Sequence, residues 1–137
     1  MYVPASFAVS DEKTLDSFIE RYEFATLTSS SSTGLVASHI PIMLRRSAGK
    51  AVLVGHVARA NDQWRQFDGN AKALAIFHGP HAYVSPTWYA TAPAVPTWNY
   101  AAVHAYGRPE VMQDKDWLRR HVGELTAQQE RSEAVAY

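Results

Sequence analysis

Gly55-His56-Val57-Ala58-Arg59-Ala60-Asn61 sets an imidazole, a guanidinium and a carboxamide in one short stretch, directly after an apolar run. If that run is a strand and Asn61 caps a helix, Arg59 lies beside free backbone amides. A phosphate dianion is stabilised in such a place by the guanidinium fork and by the helix dipole. The same residues also read as a surface ion pair for Arg59 and a plain cap at Asn61. Upstream, Ser38-His39-Ile40-Pro41 falls within a second extended stretch. Pairing of the two strands would turn a hydroxyl, an imidazole and backbone polar groups toward the region of Arg59, the kind of set that reads the edge of a heteroaromatic ring. A lone strand histidine is equally a structural residue.

The second concentration of chemistry is aromatic. Trp88-Tyr89 and Trp98-Asn99-Tyr100 flank a loop that carries almost no charge and holds Pro93 and Pro96. Alternation along a strand puts Trp98 and Tyr100 on one face and Thr97, Asn99 and Ala101 on the other. Such a wall is plain core, a seat for a flat ring such as a flavin, or a subunit interface.

Other chemistries find little support. His78 and His81 straddle Gly79-Pro80, and a spacing of three on extended chain sends the two rings to opposite faces, so no metal site is expected. A haem needs only one histidine, and nothing in the spacing selects one. Ser85 near His81 precedes Pro86 and lacks the Gly-x-Ser-x-Gly elbow of a hydrolase. Neither Gly-x-Gly-x-x-Gly nor Gly-x-x-x-x-Gly-Lys-Ser/Thr occurs. Arg119, Arg120 and His121 read as a solvated helix face rather than a DNA contact.

The elements that must position these groups follow from periodicity. Leu15, Phe18, Ile19 and Tyr22 form a helical stripe with Ser10 as its N-cap. Strands are predicted over Phe24 to Ser29, Leu35 to Leu44 and Ala51 to Val57, joined by polar turns into a meander. Asn61 caps a short helix from Asp62 to Phe67. Ala71 to Phe77 is a strand that Gly79-Pro80 interrupts, and His81 to Tyr89 and Thr97 to Met112 are two more. Asp114 caps a terminal helix, about 114–130, with Trp117, Leu118, Val122 and Leu125 on one stripe. Short connections and no crossover helices predict a mainly β, antiparallel sheet with peripheral helices, curling into a barrel.

Composition agrees with one domain over 1–137. The chain has 137 residues, 47% hydrophobic and 19% charged, with 13 basic against 13 acidic residues. Zero net charge leaves no basic footprint for nucleic acid. The absence of cysteine removes disulfides and thiolate chemistry and suits the cytoplasm. No run approaches the roughly 18 apolar residues of a membrane helix. The weakly periodic ending, Glu130 to Tyr137, leads us to expect a natural C-terminal continuation.

Met1-Tyr2-Val3-Pro4, Phe24-Ala25-Thr26-Leu27, the Gly55 to Asn61 stretch, the block from Ile76 to Tyr89 and Val95-Pro96-Thr97-Trp98-Asn99-Tyr100, in this order, resemble the PaiB-like family of FMN-binding negative transcriptional regulators. The resemblance covers nearly the whole chain. It implies an FMN-binding split barrel, a homodimer with flavin at the subunit interface, and a regulatory or redox role; flavin reductase activity with a nicotinamide donor and haem binding are alternatives. It places Ser38, His39, Ile40 and Pro41 against the ribityl chain and ring edge. His56, Arg59 and Asn61 would hold the phosphate end, and Trp98 and Asn99 would line the dimer cleft. Glu23 stands where relatives often have proline, and the Ala90 to Ala94 loop lacks a lysine common before the Val-Pro-Thr-Trp block.

Overall fold

Acidic and β-branched residues fall where a helix followed by a meander needs them, and the computed structural model, which describes residues 1–133, has that order. Helix α1 (Glu12–Arg21) leads into β1 (Phe24–Ser31), β2 (Gly34–Ser47) and β3 (Lys50–Gly55); a 3-10 turn, Asp62–Gln66, precedes β4 (Ala73–Val84); β5 (Thr97–Gly107) and α2 (Lys115–Glu133) follow. All pairings are antiparallel, in one five-stranded sheet of order β3-β2-β1-β4-β5. No described helix is long and apolar enough to cross a membrane.

Several predicted boundaries shift for identifiable reasons. The cap of α1 is Asp11, not Ser10: its carboxylate accepts from Thr14 N at 2.9 Å, and an anion there also meets the positive end of the helix dipole. Arg45 and Arg46 belong to β2 rather than to a turn, because the connection to β3 shrinks to Ala48 and Gly49, both at positive φ (49° and 76°), the conformation a two-residue hairpin requires. The last strand stops at Gly107, not Met112, and the stretch expected to run on to Tyr89 ends at Val84, followed by a 3-10 turn over Pro86–Trp88 that Ser85 caps.

Gly79-Pro80 does not split β4. The strand passes through, with a register shift between His78↔Ala102 and His81↔Tyr100. A bulge accommodates Pro80, whose missing N–H would break a regular ladder. It also reverses the phase of alternation, so His78 and His81 share a face instead of opposing each other. Gly79 is there because Phe18 is: a Cβ would sit 2.5 Å from the Phe18 ring and 3.1 Å from the Ala101 carbonyl oxygen.

The core face carries Ala25, Ile42, Ala75 and Phe77, covered by Ile19 and Phe18 of α1, with Ile40, Leu44, Leu53, Val103 and Ala105 packed around them. Neighbouring residues of β2 then reach for opposite helices. Arg46 holds Asp16 of α1 through a bidentate pair at 2.8 and 3.0 Å, whereas Arg45 pairs with Glu124 of α2. Helix α2 therefore lies on the face away from the core, over β2 and β3, where Val54 and Leu125 are buried. On the same face of β1 and β5, Phe24, Trp98, Tyr100 and Tyr106 are more than 60% exposed, whereas Leu74, Ile76 and His104 are half-buried.

Candidate functional site

The strand alternation that builds the core divides the predicted site. Ser38 shares parity with Ile40 and Ile42 and turns to the core side, where Asn61 Nδ2 donates to its Oγ at 2.8 Å. His39 turns outward and meets Thr26 Oγ1 across the β1–β2 pair at 3.1 Å. The expectation that both face one region therefore fails, for a period-2 reason. Ile40 packs on the core, and Pro41 lies outward beside His39.

The junction after β3 is also more committed than its sequence suggests. Asn61 does cap, accepting from Gln63 N at 2.9 Å, and its amide nitrogen is engaged with Ser38. What it caps is a five-residue 3-10 turn, too short to develop a helix dipole, and the Gln63 amide is already taken. The helix-terminus part of the phosphate reading is corrected accordingly. Arg59 itself is exposed; its carbonyl accepts from Trp64 Nε1 at 3.2 Å, and among the described residues its guanidinium has no partner. His56 meets α2 through one ring nitrogen, His56 Nδ1 lying 3.3 Å from His121 Nε2.

Sequence reasoning missed two residues that hold this region. Gln63 is 1% exposed, and its Nε2 donates to Leu27 O and Ser29 Oγ, each at 3.0 Å, fastening the turn to β1 near the end of the β1–β4 pairing. His121 is equally buried, stacked on Trp117 with ring centroids 5.5 Å apart, and not part of a solvated face; Arg119 and Arg120 are exposed as predicted. Its place four residues after Trp117 was the available signal, whereas Val122, read as part of the stripe, is 44% exposed. Burial first, then His56 and Arg45, hold the His121 imidazole below its ordinary pKa, with Glu124 opposing.

Trp98 and Asn99 stand apart from all of these. Trp98 pairs with Tyr83, and Tyr100 with His81; Trp98 touches Tyr83 and His81 at centroid distances of 5.9 and 6.3 Å. At 64% exposure Trp98 is not core. The β4–β5 hairpin extends past the first residue of β1, and from Ala75, level with Leu27 and Ser38, to Tyr83 is on the order of 25 Å at a rise of ~3.3 Å per residue. Within one chain the aromatic arm and the Arg59 junction do not meet. No group of three or more metal-ligating side chains exists among the described residues.

The protein is thus an antiparallel sheet with the outward His39 and the exposed Arg59 toward one end and an exposed aromatic arm with Asn99 at the other. The chain belongs to the FMN-binding family described as "Putative FMN-binding domain", which matches residues 1–137, and FMN is its cofactor. It is 36% identical to "Protease synthase and sporulation protein PAI 2" of Bacillus subtilis over 97% of this chain and 62% of that one, so the PaiB-like resemblance holds. It is also 39% identical to an uncharacterized protein of Saccharomyces cerevisiae (71% of this chain, 61% of the relative) and 32% identical to one of Emericella nidulans (96% and 67%). The chain spans about six tenths of the length of the first two of these relatives.

Proposed function

We propose that the chain acts as a homodimeric, cytoplasmic FMN-binding split-barrel domain with a regulatory or redox role, 1–137 forming one domain. The observation that carries this reading is the exposed β4–β5 arm: Trp98, Tyr100, Tyr83 and His81 lie together on one face and are exposed among the described residues, remote from the cationic junction. A two-fold partner offers that arm to the other chain's junction, and the interface becomes the flavin site.

In this arrangement the residues of the chain bind and orient. Arg59 supplies the charged donor for the phosphate, with His56 beside it and Asn61 holding the loop through Ser38 and Gln63. His39, with Pro41 next to it, borders the ribityl chain and ring edge from the outward face of β2. Trp98 excludes water from the ring and Asn99 lines the opposite edge of the cleft. FMN, once bound, supplies the hydride and electron chemistry; the protein sets its position and access. The regulatory role rests on similarity to the Bacillus subtilis protein named "Protease synthase and sporulation protein PAI 2".

The test is a fluorescence titration of FMN with the full chain, paired with light scattering for mass. Quenching that saturates at one flavin per chain in a dimer is expected. Protein that leaves FMN fluorescence unchanged at concentrations where it is folded and dimeric would refute the reading.

A further inference from the structure

One predicted residue, His56, makes a part-buried contact with a second imidazole on α2. His56 Nδ1 and His121 Nε2 lie 3.3 Å apart with the rings edge to face, at 71°. A contact of that length between two ring nitrogens needs one proton in it and one bare lone pair. The other nitrogen of His121, Nδ1, is buried without a hydrogen-bond partner. Orphaned buried donors are rarer than orphaned acceptors, so the bare lone pair belongs on Nδ1 and the proton on Nε2. His121 then donates to His56 Nδ1. That in turn leaves the proton of His56 on its own Nε2, the form that donates to an oxyanion. Trp117 fixes the His121 ring by stacking at 23°, and Arg45 and Glu124 form the charged surroundings from β2 and α2.

We propose that His121 is a positioning residue: from α2 it sets the tautomer of His56, so that His56 presents an N–H rather than a lone pair to the phosphate end of the flavin. The inference rests on the reading above for the ligand, while its first half concerns the protein alone. Helix α2 is thereby wired to the cofactor site through one hydrogen bond. With the wrong tautomer, His56 would set a lone pair against phosphate oxygens and repel them.

Nitrogen-15 NMR of the ring nitrogens in the unliganded full chain, above neutral pH, tests the first half directly. Protonated Nε2 on both His56 and His121 is expected; protonated Nδ1 on His56 overturns the proposal without reference to any ligand. For the second half, His121→Gln, which keeps an N–H at similar reach, and His121→Leu, which does not, are titrated with FMN and with riboflavin. About a tenfold loss of FMN affinity in His121→Leu, recovery in His121→Gln and unchanged riboflavin binding are expected. Equal losses for both ligands would show a packing role only and overturn it. If the wild-type chain binds neither ligand while the NMR result holds, the function proposed above fails and the tautomer assignment stands.

Discussion

Replacing Trp98 by alanine should dissociate the proposed dimer and weaken flavin binding together. Trp98 is 64% exposed in the isolated chain. A tryptophan buries up to roughly 250 Å² when covered, which leaves on the order of 150 Å² for a partner to remove from water. At about 25 cal/mol per Å² the upper bound is ~4 kcal/mol per copy, and truncations of aromatic anchors commonly cost about 2 kcal/mol or more. A two-fold interface contains the residue twice, so about 4 kcal/mol, or nearly a thousandfold in the dimer dissociation constant, is a conservative expectation. Sedimentation velocity across a concentration series, with and without FMN, reads the effect. Tyr83→Ala, less exposed at 46%, should show a smaller one. A wild-type chain that is monomeric at every concentration, yet binds FMN as tightly as the Trp98 variant does, would refute the reasoning.

Arg59→Ala should weaken FMN about ten- to a hundredfold and leave riboflavin binding unchanged, since the guanidinium has no partner among the described residues and in the proposed site meets only the phosphate; equal titrations of both ligands would remove Arg59 from the site. Gly79→Ala should cost about 1–3 kcal/mol in urea unfolding, because the new methyl meets the Phe18 ring and the Ala101 carbonyl, and adding Phe18→Leu should recover part of it. Acid should destabilise the fold through His121. Its folded pKa is lowered, mainly by burial, so below the unfolded value of about 6.5 the unfolded chain binds the extra proton and stability falls, at no more than about 1.4 kcal/mol per pH unit. Urea midpoints above and below that pH, compared with those of His121→Gln, check this; a variant that retains the full acid slope would exonerate His121.

The meander, α1 and α2 were legible because each rests on a local signal. Leu15, Phe18 and Ile19 repeat at helical spacing, and Ala51 to Gly55 is a short apolar run that holds two valines, one of them the buried Val54. Turn chemistry at Ala48-Gly49 was not, since a left-handed alanine carries no signature and only strand pairing imposes it. Gln63 and His121 were missed for a related reason. Both are polar residues buried by partners distant in the chain, Leu27 and Ser29 for the first and His56 and Trp117 for the second, and burial of that kind is a tertiary fact.

The site itself was legible in residue types but not in their grouping, and one bulge shows why. Alternation is reliable only while the ladder is regular, and the extra residue at Gly79-Pro80 inverts it for the rest of β4. Without that inversion, His81 and Tyr83 would turn to the side opposite His78, and the arm would present no aromatic cluster around Trp98. The bulge falls at a glycine, the missing Cβ admits Phe18, and Phe18 packs against the same core that seats α1 on the sheet. Core packing near α1 and the shape of the proposed interface are thus set by the same dipeptide. A change at Gly79 is therefore expected to disturb dimerisation and flavin binding as well as stability, although the residue touches neither the arm's rings nor Arg59.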